Sequence, residues 1–148
     1  MHTPFNMCHL GRATLLIALT ILCATAGAAD MVVIVSAKSP VSVLRLDQVA
    51  AIFLGQTARF PDGSEAVPID QRVGSPLRDM FYSRVTGKSA ALLKAYWSKM
   101  VFTGRGQPPC EAIDDAAVRR QVADNPELIG YIDRSALDDS VRSVLVRP

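Results

Sequence analysis

Histidine is nearly absent from this chain. Of 148 residues only His2 and His9 carry an imidazole, and both lie at the extreme N-terminus. Cysteine is scarce too, with Cys8, Cys23 and Cys110 the whole complement. The first 29 residues read as a secretory signal peptide that is cleaved. Arg12 and the amino terminus form its positive part, Ala13 to Cys23 its apolar part, and Ala24-Thr25-Ala26-Gly27-Ala28-Ala29 its small-residue cleavage region. The apolar run is 11 residues, and a spanning helix needs about 20. No membrane span is therefore expected after cleavage. Leu22 sits before Cys23, where a lipidated cysteine wants a small residue. The expected location is the periplasm, with 1–29 removed and 30–148 forming a single domain.

Cleavage removes both histidines and leaves Cys110 as the one thiol. Without imidazole there is no Ser-His-Asp or Cys-His nucleophile system, and the commonest metal ligand is gone. No enzyme, no cofactor and no metal site is expected. A single cysteine cannot form an internal disulfide, so Cys110 is expected to be a buried or incidental thiol. Charge is balanced. Lys+Arg falls from 16 to 15 on loss of Arg12 against 14 Asp+Glu, a net charge of +1. That is no nucleic-acid footprint. About 119 residues suit one domain with a modest core.

What remains alternates strands with helices, which predicts an α/β domain with a mixed sheet flanked by helices. Met31 to Ser36 is a β-branched run, read as a strand buried on both faces as in a parallel sheet. Ala37 to Ser42 is a loop. Asp47 is read as the N-cap of a helix over Gln48 to Leu54, stopped by Gly55. Residues 56–66 are turn-rich around Pro61-Asp62-Gly63. Val67 to Asp70 is a short strand whose Pro68 is read as lying at a sheet edge or at the start of the strand. Ser75 then caps a helix with Pro76 at its first position, carrying Leu77, Met80, Phe81 and Val85 on one side until Gly87. Ser89 caps the next helix, with Leu92, Leu93, Tyr96, Trp97, Met100 and Val101 as an apolar stripe. The spacing of Trp97, Tyr96, Phe81 and Phe102 predicts core positions rather than a binding platform. Asp114 caps a helix to Ala123 with Val118 and Val122 inward. Leu128 to Ile132 is a strand, Ser135 caps a helical turn, and Val141 to Val146 is a last strand.

The sharpest local feature is the strand–loop–helix unit from Val67 to Val85. N–H groups of a first helical turn have no intrahelical acceptor, and the helix dipole adds partial positive charge. Gly74 and Ser75 let an oxyanion approach such a terminus. Arg72 and Arg78 bracket it, and Asp70 and Gln71 lead into it. The alternative is that Ser75 only caps the helix and the arginines are solvated. The loop Thr103-Gly104-Arg105-Gly106 is a weaker second candidate for an anion. The carboxylate pairs Asp114-Asp115 and Asp138-Asp139 read as caps and turns and lack metal-loop spacing.

Three segments carry a family resemblance. Leu46 to Asp70 (LDQVAAIFLGQTARFPDGSEAVPID), Gly74 to Tyr82 (GSPLRDMFY) and Asn125 to Asp133 (NPELIGYID) resemble, in order, segments of phosphate-type periplasmic solute-binding proteins of ABC transporters. The resemblance spans most of Val32 to Leu137. It implies one lobe of a type II periplasmic binding protein, where complete members close two lobes on phosphate. It also implies a weak site for phosphate or a similar oxyanion, accessory to transport or sensing. The family's anion-clamping arginine aligns with Asp70, its carboxylate falls near Arg72, and its Gly-Thr after the serine becomes Pro76-Leu77. A homodimer or an envelope protein is the expected replacement for the second lobe. The alternative function is a periplasmic interaction module that kept the fold and lost the ligand.

Overall fold

The computed structural model describes residues 30–148; the expected signal peptide lies outside the described residues. The described chain forms β1 (Met31–Ser36), β2 (Val43–Arg45), α1 (Leu46–Phe53), β3 (Val67–Gln71), α2 (Pro76–Thr86), α3 (Ala90–Phe102), β4 (Cys110–Ala112), α4 (Asp115–Asp124), β5 (Leu128–Asp133), β6 (Val141–Ser143) and β7 (Leu145–Arg147). A 3₁₀ turn at Arg134–Ala136 follows β5. No helix among the described residues is long and apolar enough to cross a membrane.

A five-stranded mixed sheet, ordered β4-β3-β5-β1-β6, is the centre of the fold, and β2 and β7 pair separately. The expected α/β architecture with a mixed sheet flanked by helices is what the chain adopts. β1 is buried on both faces as expected, but its neighbours β5 and β6 run antiparallel to it. Burial on both faces comes from helices on each side, which does not require parallel strands. On one face α4 covers Val32, Ile34, Ile69 and Ile132 through Val118 and Val122. On the other, α1, α2 and α3 enclose a larger core around Phe53, Phe81, Tyr82, Trp97 and Tyr131. Phe81 stacks on Tyr131 with centroids 3.9 Å apart.

Several local expectations are corrected. α1 begins at Leu46 with Arg45 at the N-cap, and Asp47 lies inside the first turn, paired with Arg45. β3 is not an edge strand but sits between β4 and β5. Pro68 is tolerated because β4 pairs with β3 only from Ile69 onward, so the side of Pro68 away from β5 needs no donor. The expected last strand breaks in two, with β6 joining β1 and β7 running parallel to β2. The interior face of α2 includes Arg78 and Tyr82 with Phe81 and Val85, while Met80 and Leu77 are half-buried. On α3 only Leu93 and Trp97 are buried. Leu92 and Val101 face solvent, and Phe102, expected in the core, is 92% exposed. Cys110 is exposed and free, which of the two expected readings leaves the incidental thiol.

Candidate functional site

β3 delivers two polar residues to the sheet's C-terminal end, and both turn inward. Asp70 is 1% exposed. Its carboxylate accepts from Arg78 Nε at 3.0 Å and from the Tyr82 hydroxyl at 2.9 Å. The Tyr131 hydroxyl donates to the other oxygen, which also takes the Gln71 N–H at 2.8 Å. The Arg78 guanidinium lies over the Tyr82 ring, 5.1 Å from its centroid. Burial raises the Asp70 carboxyl above its ordinary range, opposed by the Tyr131 bond, the Arg78 charge and the Tyr82 bond. Burial and the Asp70 charge push both tyrosine hydroxyls up. Burial works against the Arg78 charge, and Asp70 more than offsets it.

Gln71 is buried beside this network. Its Nε2 donates to Asp115 Oδ1 at 2.5 Å and to the Tyr131 carbonyl at 3.3 Å. The chain then reverses through a turn in which Ser75 N–H donates to the Arg72 carbonyl at 3.1 Å. Gly74 occupies the third turn position with φ +86°, a conformation side chains rarely adopt and type II turns demand. The turn sets Ser75 at the N-cap of α2 with extended backbone and Pro76 at the first helical position. The serine side chain makes no capping bond. Leu77 and Arg78 N–H groups at this end have no intrahelical acceptor.

An open cleft of about 410 Å³ lies in front of this terminus. Gln71, Arg72, Gly74 and Ser75 form one wall, and Ile113, Asp114, Asp115 and Asp133 the other. Four of the six residues singled out from sequence, Gln71, Arg72, Gly74 and Ser75, thus meet at one cleft. Asp70 and Arg78 stand behind it, bound to one another. The loop at Thr103 to Gly106 does not line it. The three aspartates are the part sequence reasoning missed as cleft-lining groups. Asp114 caps α4 as expected, its Oδ1 accepting from Ala117 N–H at 2.7 Å. Asp115 Oδ2 takes the Asp133 N–H at 3.3 Å. Hydrogen bonds from the Ser135 side chain and backbone hold Asp133 below the ordinary carboxyl range. The residues lining the cleft therefore set one cation, Arg72, against three carboxylates. No group of His, Cys, Asp and Glu among the described residues could hold a metal ion.

No protein-family model matches the chain, and no curated protein does. Solved structures do. One is a Clostridium perfringens protein with bound phosphate, assigned as a phosphate ABC transporter substrate-binding protein; it is 26% identical over 79% of this chain and 44% of its own, with TM-score 0.60. An ABC-type phosphate transport receptor from Vibrio cholerae is 17% identical over 79% of this chain and 46% of its own, with TM-score 0.63. PstS from Borrelia burgdorferi is 12% identical over 79% and 47%, with TM-score 0.57. The chain thus spans less than half the length of the solved structures it matches and shares the α/β fold of that part.

Proposed function

We propose that this chain is an exported, non-enzymatic lobe that binds phosphate or a similar oxyanion weakly at the N-terminus of α2. The observation that carries this reading is Ser75. It occupies an N-cap yet leaves its hydroxyl free of any capping bond, above a glycine turn and beside Arg72 at the cleft. An oxyanion there would accept from the Ser75 hydroxyl and the Leu77 and Arg78 N–H groups, with Arg72 adding a charge-assisted bond. Gly74 permits close approach. Gln71 positions the turn through its bond to Asp115. Asp70 and Arg78 act indirectly, Arg78 fixing the first turn of α2 to the end of β3.

The bound phosphate in the Clostridium perfringens structure supports the ligand class. The likeness to a phosphate ABC transporter substrate-binding protein and to an ABC-type phosphate transport receptor supports a link to phosphate transport or sensing in the periplasm. Selectivity and strength are expected to be low, because three carboxylates oppose the anion and an open cleft leaves it solvated.

Calorimetric titration with phosphate, sulfate and acetate at low salt tests the reading. Phosphate heats that weaken in both Ser75→Ala and Arg72→Ala are expected. Absence of binding, or binding indifferent to both substitutions, overturns it.

A further inference from the structure

Beside the cleft, on the other side of Gly74, lies a second and more apolar depression of about 890 Å³ between α2, α3 and the segment before β4. Trp97 lies in its wall, and the indole N–H is buried without a partner among the described residues. Its rim is apolar and open: Val73 is 68% and Phe102 92% exposed, with Val101 beside them. A contiguous exposed apolar surface of this kind marks an interaction site rather than scattered surface residues.

The order of residues along α3 indicates what fits there. The exposed positions that line the groove are Ala90, Ala91, Lys94, Ser98, Val101 and Phe102. They share one helical face, and they pair about position 96: 90 with 102, 91 with 101, 94 with 98. One end of the face is small and the other large. Under a two-fold axis passing beside the middle of α3, the Val101–Phe102 end of each copy meets the partner's Ala90 and the partner's Ala91. Lys94 then faces Ser98 rather than another lysine. Asp79 and Glu111 line the opposite wall of the groove, and neither they nor Lys94 is in an ion pair among the described residues. An isologous interface requires this kind of self-complementarity in size and charge.

We infer that the α3 face is the seat of a second copy of this chain in an antiparallel, two-fold dimer, with Phe102 inserted beside the partner's Ala90 and the partner's Ala91. Gly74 lines both the groove and the Ser75 cleft, so the second copy sits next to that cleft. The dimer stands on the α3 face alone and does not require that the cleft bind an anion. The face is small, so the affinity is micromolar or weaker.

Sedimentation equilibrium of the purified protein, from low micromolar to near-millimolar concentration, reads the association directly. A concentration-dependent dimer is expected, weakened about tenfold or more in Phe102→Glu. The circular dichroism of that variant should match the wild type, because the side chain is 92% exposed. In a Cys110→Ser background, Lys94→Cys combined with Ser98→Cys should give disulfide-linked dimers under oxidation, and either substitution alone should give few. A monomer at every concentration overturns the inference. So does a dimer that neither Phe102→Glu nor Ala90→Glu weakens, or association with another protein in place of self-association.

Discussion

Asp70 and Arg78 form an ion pair sealed inside the domain, with Arg78 Nε donating to Asp70 Oδ2 at 3.0 Å and side chains 1% and 8% exposed, respectively. A buried pair of this kind is costly to break and cheap to replace, since loss of one partner strands the other charge. Asp70→Asn should cost about 3–5 kcal/mol, a large part of the roughly 5–15 kcal/mol that holds such a domain folded. Adding Arg78→Met should recover much of that loss, because the introduced amide can accept from one tyrosine hydroxyl through its oxygen and donate to the other hydroxyl's oxygen through its nitrogen, and no charge would stay unpaired. Urea unfolding followed by circular dichroism measures both. A double variant less stable than Asp70→Asn would show that Arg78 contributes mainly through packing.

The same pair predicts a pH dependence. Burial leads the causes that raise the Asp70 carboxyl above its ordinary value of 3.8. A carboxyl raised on folding holds its proton more tightly in the folded state than in the unfolded chain. The stability it contributes is therefore greatest near and below pH 3.8 and falls as pH rises to the folded value, then levels. Asp62, Asp133 and Asp138 are shifted down by their serine partners and act with the opposite sign, but they are common to both proteins and cancel in a difference. The stability advantage of wild type over the double variant Asp70→Asn/Arg78→Met, which carries no charge at either position, should accordingly narrow as pH rises from about 4 toward neutrality. Unfolding curves at stepped pH decide it, and an advantage that widens contradicts the direction.

Much of this architecture is legible in local chemistry. β-branched runs, N-cap residues and glycines after helices mark β1, β3, α2, α3 and α4 because each depends on neighbours in sequence. β2 and β4 are three residues each, too short for a period to register, and they exist through the pairing of Val43–Arg45 with β7 and of Cys110–Ala112 with β3. The helical stripe of α3 identifies an apolar face but not how much of it another element covers, so Phe102 and Val101 read as core. At the cleft, Gly74 and Ser75 announce a turn into a helix. The inward turn of Asp70 depends on Tyr82 and Tyr131, 12 and 61 residues further along, and a buried phenol's need for a partner is the signal that links them.

Gly130 illustrates a long-range constraint behind a local oddity, a glycine in the middle of β5. A Cβ there would lie 2.6 Å from Val118 Cγ1 and 3.3 Å from Val122 Cγ2, so α4 packs directly onto the strand's backbone. Gly130→Ala should cost about 1–3 kcal/mol through overpacking. Combining it with Val118→Ala should return part of that loss by making room, which thermal unfolding can resolve.

Ser75 separates a structural cap from a ligand group. Replacing a capping serine by alanine ordinarily costs about 1 kcal/mol. Here the side chain makes no capping bond, so Ser75→Ala should lower stability by less than that while weakening oxyanion binding. A full capping penalty with no change in binding would return Ser75 to a purely structural role.

Asp114 offers a gain of function that tests the charge balance of the cleft. Its carboxylate lines the cleft and also caps α4 through Ala117 N–H. Asparagine caps helices as well as aspartate, so Asp114→Asn removes one opposing charge with little effect on stability. One unit charge at about 8 Å in a water-like medium is worth about 0.5 kcal/mol, so phosphate should bind about twofold tighter at low ionic strength. The gain should shrink as added salt screens the cleft. Titration of wild type and Asp114→Asn at two salt concentrations measures both effects. An affinity unchanged at low salt would place the anion away from Asp114 and outside this cleft.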